Sequence, residues 1–181
     1  MKKVFSLLAM AAIVLSVGLS SCAKEDTADS LNVDLNRTAT IKGKILINED
    51  ETKTEPTWSA PREVVISATV PYTSLNGNAA GGTYVIPSSN ISYTASTGEF
   101  TITAPVGVSG SVVSVKLSQF TGSVRVADPA NAGSSKTINV IWDSQEKDSN
   151  SAKPGETVYL DQWELSTDAY YTEVKNAGDK I

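Results

Sequence analysis

Apolar and polar residues alternate in short runs along most of this chain, and that period of two constrains the fold more than any other feature. Successive side chains of a strand point to opposite faces, so alternation gives one buried face and one wet face. Ile41, Ile45 and Ile47 share a face across Gly43 within Thr40 to Ile47, and Val64, Ile66, Ala68 and Val70 repeat the pattern. It returns in Ile91, Tyr93 and Ala95; in Phe100, Ile102 and Ala104; in Val113, Val115 and Leu117; in Val124 and Val126; and in Ile138, Val140 and Trp142. The last run, Thr157 to Leu165, changes phase between Val158 and Leu160 and the later pair Trp163 and Leu165. One extra residue flips the facing of all that follow, so the slip predicts a bulge.

Between the runs stand Asn76-Gly77, Gly81-Gly82, Thr97-Gly98, Pro105 to Gly107, Gly110 and Lys153-Pro154-Gly155. Glycine and proline at such intervals are turn residues, and no window carries apolar residues at helical spacing. No internal repeat is visible, which removes the main support for solenoids and propellers. The expected fold is all-β: a single antiparallel β-sandwich of about seven to nine strands over residues 38–165, with 166–181 as a C-terminal tail.

The composition narrows the chemistry. The chain of 181 residues has no histidine and one cysteine, Cys22, with 15 basic and 20 acidic side chains. Without histidine there is no triad base, no common zinc ligand and no proton shuttle for neutral pH. The net charge of -5 offers no basic surface for nucleic acid. Serines are numerous, yet none lies in a Ser-x-x-Lys or Gly-x-Ser-x-Gly sequence that would supply an activating environment. The expectation is a protein that is not an enzyme, with no catalytic residue, metal or other cofactor.

Lys2 and Lys3 precede an uncharged run from Val4 to Leu19, followed by Ser20, Ser21 and Cys22. A basic start, an apolar stretch and a small-residue exit make a secretory signal, and the run is shorter than the roughly 20 residues a bilayer-spanning helix needs. Leu19-Ser20-Ser21-Cys22 resembles the bacterial lipobox. That resemblance implies a signal peptide over 1–21, cleavage before Cys22 and a lipid on its sulfur. Loss of Lys2 and Lys3 would leave 13 basic against 20 acidic residues, a formal charge of -7. Stable anchoring takes at least two membrane signals, which a multiply acylated cysteine supplies.

Residues 22–37 read as the lipidated cysteine and a flexible tether. Within it Lys24, Glu25 and Asp26 resemble the surface-export signal of Bacteroidetes-type lipoproteins. Asp26-Thr27-Ala28 and Asp29-Ser30-Leu31 resemble the O-glycosylation tripeptide of the same bacteria, with Thr27 and Ser30 as acceptors. These resemblances imply a palmitate-bearing lipoprotein at the cell surface, anchored in the outer membrane and facing the exterior.

The stretch Tyr93-Thr94-Ala95-Ser96-Thr97-Gly98-Glu99-Phe100-Thr101-Ile102-Thr103-Ala104-Pro105-Val106-Gly107 resembles the turn-and-strand signature of carboxypeptidase-regulatory-like domains, which share a transthyretin-like sandwich. In those domains a turn glycine precedes an aromatic residue, an alternating strand and Pro-x-Gly, matched here by Gly98, Phe100, Pro105 and Gly107. Ile41-Lys42-Gly43-Lys44-Ile45, with Ala60-Pro61 and Val64-Val65-Ile66, is similar to the family's first two strands, although the insert between them is longer. The resemblance covers Thr38 to Val126 and implies a non-catalytic scaffold.

Three groups remain as candidates for ligand contact. Asn48-Glu49-Asp50-Glu51 with Glu55 forms an acidic loop that reads as a solvated surface rather than a Ca²⁺ site, since it lacks the spaced acids and glycine of an EF-hand. Asp143, Glu146 and Asp148 around Lys147 read the same way. Trp58 is the one tryptophan outside an alternating run, so it is the candidate for stacking on a sugar, together with Tyr72 and Tyr84 if the loops bring them near. The expected function is a lipid-anchored, surface-exposed binding, adhesion or structural module of the outer membrane, with a glycan or an envelope protein as partner. The alternatives are a glycan-binding accessory of polysaccharide uptake and a fimbrillin-like pilus subunit, which Arg37 would suit as a site of proteolytic release.

Overall fold

A computed structural model describes residues 33–76 and 81–175, and among them the regular elements are strands apart from single helical turns. In chain order they are β1 (Thr38–Asn48), β2 (Trp58–Ser59), β3 (Ile66–Pro71), the short helix α1 (Tyr72–Asn76), β4 (Thr83–Val85), β5 (Ile91–Thr94) and β6 (Glu99–Pro105). They continue with β7 (Ser114–Leu117), β8 (Phe120–Ala127), β9 (Ser135–Trp142), β10 (Gln145–Asp148), β11 (Thr157–Tyr159), β12 (Trp163–Leu165) and β13 (Tyr171–Glu173). The strands form three sheets packed on one core, an all-β sandwich.

The first sheet is organised by β1, which buries Ala39, Ile41, Ile45 and Ile47 on one face. Along one edge β1 pairs antiparallel with β6, from Thr38 opposite Pro105 to Lys44 opposite Glu99, and then with β2 at Ile47 and Asn48. Along the other edge it pairs in parallel with β11 at Thr40 to Lys42 and with β12 at Ile45 to Ile47. Two residues of β1, Gly43 and Lys44, stand opposite three, Leu160, Asp161 and Gln162. This is the bulge that the phase slip predicted, and it lets Val158 and Leu160, then Trp163 and Leu165, all turn inward. β5 completes this sheet beside β6. The second sheet runs β10-β7-β3-β4 and the third β13-β9-β8, both antiparallel throughout.

The expected all-β sandwich is what forms, and it differs from the expected seven to nine antiparallel strands in two details. Thirteen strands form among the described residues, and β11 and β12 run parallel to β1. The additional strands are short or polar: Gln145-Glu146-Lys147-Asp148 has no apolar residue, yet it forms β10 because β7 offers its backbone groups on that side. The reading of Asp143 to Asp148 as a loop is thereby corrected. Residues 166–181, read as a tail, contain β13, which adds to β9 through Tyr171 opposite Trp142.

Two glycines make room for aromatic rings. A Cβ on Gly43 would lie 2.4 Å from Cζ of Phe100, its cross-strand partner, so the ring occupies the space that any side chain there would need. Phe100 in turn meets Trp163 at 5.7 Å between ring centroids, and Lys147 lies 5.3 Å from the Trp163 ring centre while its Nζ donates to the Asp161 and Gln162 carbonyls at 3.0 and 2.9 Å. One lysine of the second sheet thus fastens the bulge of the first. In the third sheet Trp142 lies against Gly122, stacks on Phe120 at 6.2 Å and meets Tyr171 edge-on at 5.1 Å. Gly98 adopts φ +76° in the turn that opens β6, and its carbonyl accepts from the N–H of Ile45 at 2.9 Å.

Phe100 is 2% exposed, and truncating a buried phenylalanine costs about 3–5 kcal/mol. Phe100→Ala is expected to lower the melting midpoint by on the order of 10 °C, whereas exposed Glu99→Ala hardly moves it. Gly43→Ala, which forces the ring aside, is expected to cost about 1–3 kcal/mol; equal midpoints for Gly43→Ala and the parent in thermal denaturation would contradict this packing.

Candidate functional site

A cleft of about 760 Å³ runs along β8, between its first half and a wall formed by Glu49 and Pro61 to Glu63. The register sets Thr121 beside Ile141 and Ser123 beside Asn139, so these four share the face of the third sheet turned away from Phe120, Val124 and Trp142. Ile141 is nevertheless buried, at 9% exposure, and Val140, Ile141 and Trp142 form a run buried on both faces. The floor of the cleft therefore joins an apolar residue to the small polar side chains of Thr121, Ser123 and Asn139, and Arg62 and Glu63 put opposite charges on the rim. A second hollow of about 360 Å³ shares Arg62, Glu63, Phe120 and Thr121 and extends the trough to Val65 and Tyr93.

The Tyr93 hydroxyl donates to the Pro61 carbonyl at 2.5 Å and pins this wall, and burial pushes its pKa up to about 12. At the other end of the wall Arg125 fixes β8: its N–H donates to the Glu49 carbonyl at 2.8 Å, and its carbonyl accepts from Glu51 at 2.9 Å. Arg125 thus turns its backbone groups away from β9, and by antiparallel alternation Thr121 and Ser123 turn theirs the same way, along the cleft. Such an arrangement can hold a polar or extended ligand by hydrogen bonds. Among the described residues the Thr121 and Ser123 hydroxyls make no hydrogen bond to a basic side chain.

The acidic loop closes on itself. The Asn48 side chain, 4% exposed, accepts from the N–H groups of Asp50 and Thr57 at 3.3 and 3.0 Å and so draws the two ends of the loop together. Asp50 accepts from the Thr52 hydroxyl and N–H and lies 3.6 Å from Lys53 and 4.0 Å from Arg125. The Thr52 hydroxyl is the main cause holding its carboxyl below the usual range. Among the described residues no group of three or more His, Cys, Asp or Glu is placed to hold a metal ion. Glu51 differs from its neighbours: Oε2 accepts from the Tyr171 hydroxyl at 3.0 Å, and Oε1 is enclosed with no partner. Burial, reinforced by Asp168 and opposed by the Tyr171 bond, raises its pKa. Tyr171 is raised as well, first by burial and then by the Glu51 bond.

Trp58 is half-buried on β2, where it pairs with Asn48, and it does not line the cleft. Tyr72 and Tyr84 contact each other edge-on at 6.4 Å at the end of β3, and no ring contact joins either to Trp58 among the described residues. The structure therefore does not assemble the three aromatics into one platform. Cys22, Lys24, Glu25, Asp26, Thr27 and Ser30 lie outside the described residues. Sequence reasoning missed Arg62, Glu63, Thr121, Ser123 and Asn139 because short polar side chains on the wet face of a strand carry no signature; only the three consecutive apolar residues 140–142 hinted that both faces of β9 are covered.

No protein-family model, curated protein or solved structure matches the chain. The enclosed Glu51 carboxylate yields a pH prediction. A raised folded-state pKa means that protonation favours the fold: the Glu51 contribution is fully present below the unfolded value near 4.3 and is lost as pH rises through the folded value. Glu51→Gln is expected to raise the melting midpoint by a few degrees at pH 7, with the advantage shrinking as pH falls toward 4; a difference independent of pH would sink it.

Proposed function

We propose that the mature chain is a lipid-anchored, surface-exposed, non-catalytic binding module of a bacterial outer membrane, and that the cleft along β8 is its ligand surface. The observation that carries the anchor is the coincidence of the chain's only cysteine with the exit of a secretory signal in lipobox order. The observation that supports binding is a trough of small polar side chains between charged rims. The envelope is of the Bacteroidetes type by the resemblance of Lys24-Glu25-Asp26, and the sandwich serves as a carboxypeptidase-regulatory-like scaffold by the resemblance around Gly98 to Gly107.

The pilus alternative rests on Arg37. That residue is ion-paired with Asp34 at 2.8 Å, and its carbonyl accepts from Val106 at 2.8 Å. Cleavage there would leave β1 paired along both edges and open no sheet, which favours a self-contained module over a subunit joined by strand exchange. The glycan alternative needs a stacking surface, and Trp58 stands apart from the cleft; saturable oligosaccharide binding abolished by Trp58→Ala would favour it.

Cys22→Ala is expected to abolish labelling by a palmitate analogue in cells, and label on the mutant would refute the anchor. Proteinase added to whole cells should remove the mature domain, and alanines at Lys24, Glu25 and Asp26 should protect it. Protection of the unmutated protein would refute surface exposure.

A further inference from the structure

The chain enters the sandwich at the start of β1, and several connections meet at that end. Pro105 pairs with Thr38, the Val106 N–H donates to the Arg37 carbonyl at 2.8 Å, and the Gly155 N–H donates to the Thr38 carbonyl at 2.8 Å. Ser111 and Ala152 exchange both backbone hydrogen bonds at 2.9 Å, while Gly107 packs on the backbone of Ser74. Two features mark this end. Of the six exposed large hydrophobic side chains among the described residues, three lie here, Leu35, Val108 and Val112 at 52%, 70% and 39%, and the half-buried Tyr72 and Tyr84 form their edge-on pair there. Between Glu63 and Lys116, moreover, the chain carries a single charged side chain, Glu99, and that residue opens β6 at the opposite end of the strand. Of the charges that are present, Asp34 and Arg37 neutralise each other, Glu156 accepts from the Lys153 N–H at 2.8 Å, and Lys153 reaches solvent.

We propose that this end of the sandwich docks on the lipid bilayer that holds the anchor, seating Leu35, Val108 and Val112 at the headgroup boundary. The proposal rests on the lipid-anchored reading of Cys22 and deepens it. Ten residues, 23–32, lie between Cys22 and Val33, where the described chain begins. A chain of that length reaches no further than about 40 Å even when fully stretched, so the end of the sandwich at which it enters is held close to the membrane. Seating an end with few charges, where Asp34 and Arg37 pair and Lys153 reaches solvent, takes little charge out of water; exposed aliphatic side chains gain from partial burial, and tyrosine suits the interface because one end of its ring is apolar and the other wet. The acidic remainder of a mature chain of net charge -7 stays in solvent.

The test uses the acylated full-length protein in vesicles of phosphatidylethanolamine and phosphatidylglycerol that carry headgroup nitroxide quenchers. With Cys22 acylated, Val108→Cys supplies the one free thiol for a fluorophore, and Thr121→Cys on the cleft serves as the reference position. Quenching several-fold stronger at 108 than at 121 is expected. Leu35→Asp with Val112→Asp should reduce it to the reference level at an unchanged melting midpoint, since both side chains are exposed. Equal, weak quenching at 108 and 121 while the protein still sediments with vesicles would overturn docking and leave the anchor standing. Self-quenching of the label at 108 in place of lipid quenching would make this end a contact between copies and would equally overturn it. An unmutated protein that carries no acyl chain and does not sediment would take down the anchor together with the docking that rests on it.

Discussion

Pairing along both edges of β1 is the constraint on which the rest of the structure depends. A strand with neighbours on each side satisfies its N–H and C=O groups within the sheet, and its inward side chains are then fixed in register with four other strands. β6 and β2 arrive antiparallel through turns and loops, whereas β11 and β12 arrive in parallel from more than 100 residues further along the chain. Such long-range parallel pairing closes the fold over nearly its whole length. It also belongs to the class of contacts that form slowly, because a long loop must be ordered before they reward it.

The glycines opposite the aromatic residues show how a small sandwich accommodates large rings. Gly43 and Gly122 each lie beneath an aromatic ring, and the rings continue into pairs, Phe100 with Trp163 and Trp142 with Phe120 and Tyr171. Interiors are packed as densely as organic crystals, so a ring over a strand needs a missing side chain below it. Lys147 performs two tasks at the same place: its charge lies on the Trp163 face, and its N–H groups satisfy two carbonyls that the bulge leaves without a strand partner.

The two surfaces of interest are separated by the length of β1. The chain enters the sandwich at Thr38, and Ile47 and Glu49, at and just beyond the far end of the strand, border the cleft. Eleven extended residues span about 35 Å, so a module seated by its entry end would hold the cleft well away from the membrane. The Asn48 side chain that closes the acidic loop and the Arg125 bridge to Glu49 and Glu51 then give the cleft a fixed wall rather than a mobile one.

The strands with strong alternation were legible without the structure, because burial of one face demands the period that the residues display. Ile41, Ile45, Phe100, Ile102, Val113, Val115, Leu117 and Trp142 all lie in the core, and the slip before Trp163 located the bulge to within its three residues. The sequence alone likewise shows that the chain has no histidine and that Leu19-Ser20-Ser21 precedes its one cysteine, Cys22, the order on which the proposed anchor rests. It could not locate β10, β13 or the parallel partners of β1, since a polar or short segment becomes a strand only when a neighbouring edge presents backbone groups to it. Nor could it assemble the cleft: Arg62, Thr121, Ser123 and Asn139 are distant in the chain and ordinary in type. They face one trough only because β8 pairs with β9 and Tyr93 pins Pro61 beside it. Local periodicity is written in the chain one residue at a time, whereas the choice of which edges meet is made by the folded whole, where the free energy of each pairing depends on every other.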